Sequence, residues 1–174
     1  FNSTPTPLRM ERPKEYRLQG VHFHAPSENT IDGVAYPLEM HAVHAAADGS
    51  LAVLGVMYEH VKNAHVELHE AGKHDEENVH EEVAAMLTHA THEGMTIEAD
   101  PSKLYDGASG FWKWDGSLTT PPCTEGVLWM LQSEIMELPP DAIAEIKSHV
   151  GEYPGNARPT HPLNGLVVEP FVAP

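Results

Sequence analysis

The run His22-Phe23-His24 and, beyond a turn-rich stretch, the run Leu38-Glu39-Met40-His41-Ala42-Val43-His44 decide how this chain reads. Tyr16–His24 alternates in the manner of a strand, so His22 and His24 project from one face, roughly 6–7 Å apart. The segment Ser27–Pro37 is rich in turn formers and lets Leu38–His44 return antiparallel beside the first strand, bringing His41 to the same place. Three neutral imidazoles leave one corner of a tetrahedron to solvent, the arrangement of a catalytic zinc site. His-x-His is a short pattern, and two surface histidines on an edge strand with an unrelated third remain the alternative.

Outward from these runs, proline and glycine punctuate short apolar stretches, and Asn29–Gly33 and Asp48-Gly49 read as turns. Further strands are expected at Leu51–Tyr58, Gly126–Gln132 and Gly165–Val168. Helices are expected at Asp75–Thr91, with Val79, Val83, Met86 and Ala90 on one side, and at Asp141–Val150, with Ile143, Ile146 and Val150 together. Asp141 would cap the second helix after Pro139-Pro140. With no repeat, low-complexity tract or linker, the chain reads as one domain over residues 1–174. Its class is mainly β with some α, a twisted and largely antiparallel sheet with a few peripheral helices.

A net charge of −16 over 174 residues argues against nucleic acid or an anionic membrane as partner, and no apolar run approaches a membrane span. Thirteen histidines fit metal chemistry or a solvated surface equally. His60, His65, His69, His74, His80, His89 and His92 read as surface residues, a metal cluster of His65, His69 and His74 being a lesser alternative. The acidic Asp75–Glu82 stretch reads as a solvated helix face. Cys123 is the single cysteine and has no internal partner.

The stretch His22–Thr30 with Pro37–His44 resembles the metal-binding core of the alpha-class carbonic anhydrases of bacterial type. Gly116-Ser117-Leu118-Thr119-Thr120-Pro121-Pro122-Cys123-Thr124-Glu125-Gly126-Val127-Leu128-Trp129 resembles the second signature of that family, and Asn156-Ala157-Arg158-Pro159 matches it more weakly. The resemblance implies that His22, His24 and His41 hold Zn²⁺, whose hydroxide attacks CO2 to give bicarbonate. It implies that Thr119 bonds that hydroxide and passes its own hydroxyl proton in a bond to Glu28. Glu39 would orient His41, and the main-chain carbonyl of Asn156 would orient His24, with no part for the Asn156 side chain. Val43, Val53, Leu118, Val127 and Trp129 would form the apolar wall that receives CO2, and Thr120 would line the bicarbonate side.

The sequence departs from the family in three places. Gly20 stands where a glutamine usually orients the first ligand, and Gln19 has the wrong parity to replace it unless a bulge intervenes. By the resemblance the family's N-terminal region is expected to be missing, so a homodimer or a complementing N-terminal segment is expected to cover the exposed surface. Leu166 replaces an arginine. The expected function is therefore reversible CO2 hydration, the alternative being a weak or inactive fragment that serves as a zinc-binding or assembly module. Family habit implies the periplasm or the cell exterior.

Overall fold

A computed structural model describes residues 14–61, 105, 109–150 and 155–171. The expected helix at Asp75–Thr91 and the histidines from His65 to His92 lie outside them. Among the described residues seven strands form one sheet: β1 (Tyr16–His24), β2 (Leu38–Ala46), β3 (Leu51–His60), β4 (Phe111–Ser117), β5 (Glu125–Gln132), β6 (Met136–Leu138) and β7 (Glu169–Phe171). Their order is β1-β2-β3-β5-β4-β7, with β6 paired to β3. The sheet is mixed. β1, β2 and β3 run antiparallel in turn, as do β5, β4 and β7, but β3 pairs parallel to both β5 and β6.

Register separates the two faces. On one, His22 lies opposite His41 and His41 opposite Gly55, while the next row runs Val43, Val53, Trp129, Trp114. On the other, Leu38, Met40 and Ala42 of β2 meet Val56 and Tyr58 of β3. Helix α1 (Pro140–Val150) covers this second face with Ile143 and Ile146, each about 1% exposed. Full burial of each isoleucine contributes about 1.5–3 kcal/mol. A strand buried on both faces loses the strict polar alternation, and the buried Glu39 of β2 is held by the Glu28 and Asn29 N–H groups.

Two expectations about local structure are corrected. The strand foreseen at Gly165–Val168 is absent. Asn164 and Gly165 both take positive φ, and the Leu166 N–H donates to the Leu163 carbonyl, closing a turn. Val167 is 68% exposed, and pairing with β4 begins only at Glu169. β-branched composition cannot make a strand where the backbone turns. Helix α1 begins at Pro140, not after Asp141. Proline suits the first helical position, the Ile143 N–H donates to the Pro139 carbonyl, and Asp141 lies in the first turn, where its charge favours the helix dipole.

Candidate metal centre

β1 and β2 bring His22, His24 and His41 together, with one ring nitrogen of each within 4.8 Å of the others. Ring centroids are 5.0 Å apart for His22 and His24, 5.2 Å for His22 and His41, and 4.6 Å for His24 and His41. His24 and His41 are buried, whereas His22 keeps an edge open to solvent. Burial and the two neighbouring imidazoles push His22 down to about 4. Burial, then His41, also lowers His24. These two rings are thus neutral at pH 7, with lone pairs available to a cation.

Glu39 is wholly buried two residues before His41. Its Oε2 accepts the Glu28 and Asn29 N–H groups at 2.8 and 2.9 Å, and its Oε1 accepts Asn29 Nδ2 at 2.7 Å. His41 Nε2 lies 3.0 Å from Oε1. Burial works to raise the Glu39 pKa, but His41 and Asn29 outweigh it and hold the carboxyl below its usual range. The approach of His41 to Oε1 is close but outside hydrogen-bond geometry, so His41 Nε2 is buried without a hydrogen-bond partner; a carboxylate at that distance still favours the tautomer protonated at Nε2, with Nδ1 as the lone pair. Gly55 makes room for the arrangement, since a Cβ there would stand 3.1 Å from Glu39 Oε1 and 3.0 Å from Leu131.

His24 is held from the far end of the chain. Its Nδ1 lies 3.4 Å from the Asn156 carbonyl and 3.5 Å from Glu28 Oε1, both acceptors for one N–H. Glu28 Oε1 is itself fixed by the Arg158 N–H at 2.7 Å. The Asn156 side chain, assigned no part from sequence, also bonds to β1 and its continuation. Its Oδ1 accepts the Ala25 N–H at 3.0 Å and its Nδ2 donates to the Phe23 carbonyl at 2.8 Å. The opposite ring nitrogen, His24 Nε2, is buried without a hydrogen-bond partner. An unpaired buried imidazole nitrogen, aimed into a cluster of two more, is costly unless a ligand completes it. The donor set, three imidazoles with no opposing carboxylate, suits zinc.

β1 does carry a bulge between Leu18 and Gly20, but Gln19 gains nothing from it. Its amide bonds the Arg17 and Leu18 carbonyls in solvent, so among the described residues no side chain orients His22 by a hydrogen bond.

The β4–β5 hairpin loop carries Thr119 and Thr120. It is closed by Leu118 N–H to the Thr124 carbonyl and Cys123 N–H to the Thr120 carbonyl, each at 2.9 Å. Thr119 lines a cleft of about 870 Å³ with Glu28, Trp114, Trp129, Leu131 and Arg158. The three histidines do not line it; Glu28 and Trp129 join the cleft to the metal centre. Thr119 makes no hydrogen bond to Glu28, whose Oε2 is buried without a partner. Thr120 is exposed and outside this cleft, its carbonyl engaged in the turn. Val53, Val127 and Trp129 form a buried cluster joined by Val43 and Leu118. Trp129 meets His41 edge-on at 4.9 Å, stacks on Trp114 at 5.6 Å, and donates its Nε1–H to the Ser117 carbonyl.

Comparison with known proteins gives consistent matches. A family model described as eukaryotic-type carbonic anhydrase matches residues 2–171. A carbonic anhydrase of Klebsiella pneumoniae is 38% identical over 151 residues, covering 87% of this chain and 56% of the relative. Alpha carbonic anhydrase 3 of Arabidopsis thaliana is 33% identical over 156 residues, 88% of this chain and 53% of the relative. The alpha-carbonic anhydrase of Thermovibrio ammonificans, solved with the inhibitor sulfanilamide, superposes with a TM-score of 0.72 at 32% identity, covering 89% of this chain and 63% of that one. The chain therefore spans little more than half the length of these curated relatives.

Proposed function

The chain belongs to the eukaryotic-type carbonic anhydrase family, and on that premise we propose that His22, His24 and His41 hold Zn²⁺ and that the protein converts CO2 and water reversibly to bicarbonate and a proton. The observation that carries the reading is the buried, unpartnered Nε2 of His24 beside two further imidazoles. Zinc held there supplies a Lewis acid that lowers the pKa of water toward 7.

The remaining chemistry belongs to the chain. Glu39 holds the Nε2 edge of His41, and the Asn156 carbonyl with Glu28 Oε1 holds the Nδ1 edge of His24. Glu28 Oε2 is the acceptor for the Thr119 hydroxyl proton. With that proton committed, the Thr119 oxygen accepts only, and so it favours a reacting group that can donate. Val43, Val53, Leu118, Val127 and Trp129 give CO2 an uncharged wall, suited to a substrate with no charge to bind. Thr120 stands outside this set. We place the protein in the periplasm or outside the cell on family habit, which cell fractionation tests.

Native mass spectrometry for zinc content, coupled to stopped-flow CO2 hydration before and after chelation, tests the proposal. One zinc per chain, with hydration lost on chelation and restored by zinc, is expected. His41→Ala should lose the metal at neutral pH. Hydration that persists in the chelated chain would overturn the assignment, and zinc bound with no hydration would favour a zinc-binding module instead. Sulfanilamide should inhibit the zinc-loaded chain.

A further inference from the structure

The loop Gly155–Arg158 makes four separate contacts around one histidine, from about 130 positions away in sequence. The Asn156 side chain accepts from the Ala25 N–H and donates to the Phe23 carbonyl, thereby bracketing the main chain of His24 on both sides. The Asn156 carbonyl faces the His24 ring. The Arg158 N–H fixes Glu28 Oε1, the second acceptor near that ring. Gly155 sets how closely the loop docks. Its φ is +94°, and a Cβ there would run into the Ala25 carbonyl. Only glycine fits that combination of dihedral and approach.

From this we infer that the Asn156 side chain is a positioning residue: by clamping the backbone of β1's last residues it sets the aim of the His24 ring and so governs how long the centre retains its metal. The inference rests on the proposed metal site. Two acceptors on Nδ1 select the tautomer that carries its proton there, leaving Nε2 as the bare lone pair. That selection works only while ring and carbonyl keep their distance. The carbonyl and the clamp belong to the same residue, so losing the side-chain bonds loosens the hold on the carbonyl's position.

Co²⁺ serves as the probe, because its visible absorption reports coordination number. The parent chain, Asn156→Ala and Asn156→Asp are loaded with one equivalent, and release to a chelator is followed by the loss of the visible band. Asn156→Ala should release Co²⁺ about 10–100-fold faster, the range usual for a lost orienting partner, and with a shifted band. Asn156→Asp keeps the acceptor for the Ala25 N–H but sets a carboxylate oxygen against the Phe23 carbonyl, so it too should release Co²⁺ faster than the parent. Far-UV circular dichroism checks that each metal-free variant keeps its sheet; if the alanine variant does not, the aspartate variant carries the test. A folded variant with the parent's band and release rate overturns this inference alone. A parent chain that takes up no Co²⁺ overturns the metal reading and the inference with it.

Discussion

Glu39→Gln is the sharpest perturbation of the centre, because it keeps size and changes only charge and donor pattern. Glu39 accepts three hydrogen bonds, and Oε1 also faces His41 Nε2 at 3.0 Å. Glutamine has one oxygen. Placed at Oε2, it keeps both backbone N–H groups but as neutral bonds, at a loss of about 1 kcal/mol each relative to charged ones. Its NH2 then meets Asn29 Nδ2, leaving a buried donor unmatched for a further 1–3 kcal/mol or about that. The sum is about 3–5 kcal/mol, which for a chain of this length lowers Tm by roughly 6–20 °C at about 2–4 °C per kcal/mol. His41 meets a donor instead of an acceptor and is driven to the tautomer protonated at Nδ1, so zinc affinity should fall about 10–100-fold. Thermal melting of the metal-free chain reads the first effect and chelator competition the second. A variant melting within 1 °C or so of its parent and binding zinc equally would refute the claim that an ionised, fully bonded Glu39 fixes His41.

Thr119→Ala should leave zinc content unchanged and depress CO2 hydration at least tenfold or so; parental turnover would remove Thr119 from the site. Gly116→Ala puts a Cβ 2.8 Å from Trp129 Cδ1 and 2.9 Å from Trp114 Nε1, forcing apart the ring stack, and should cost about 1–3 kcal/mol in urea unfolding. The metal-free chain should weaken in acid. His22 titrates near 4 when folded and near 6.5 when unfolded, so the unfolded state binds more protons between those values. Stability is then fully present above pH 6.5 and falls toward pH 4, with His24 adding in the same direction; unfolding midpoints at pH 7.5 and 5.0 check this, and equal midpoints would refute it.

The strands that carry the candidate ligands are legible because polar and apolar residues exchange over Val21–His24 and Leu38–His41 and the spacing of the histidines matches the pleat. The observed β1 agrees with the expected strand at both ends. Phe111-Trp112-Lys113-Trp114, the start of β4, is rich in aromatics but does not alternate, so it offers composition without a period. β6 and β7 are three residues each, too short for any periodicity, and Pro170 hides the second. Gly165–Val168 misled because composition says nothing about dihedral angles, and Asn164 and Gly165 spend theirs on a turn. The side-chain role of Asn156 had no local signal at all. It exists only between residues 131 and 133 positions apart, and an Asn within a loop otherwise reads as turn chemistry. The part for Thr120 comes from the resemblance alone; in the structure Thr120 is exposed and does not line the cleft.

Because the loop at Gly155–Arg158 closes over His24, a candidate ligand made early waits for a segment made about 130 residues later. A ribosome releases about 5–20 residues each second, so β1 and β2 exist for several seconds with their imidazoles free to turn. A chain stopped short of Asn156 should therefore keep both histidine-bearing strands and lack the acceptor that faces the His24 ring.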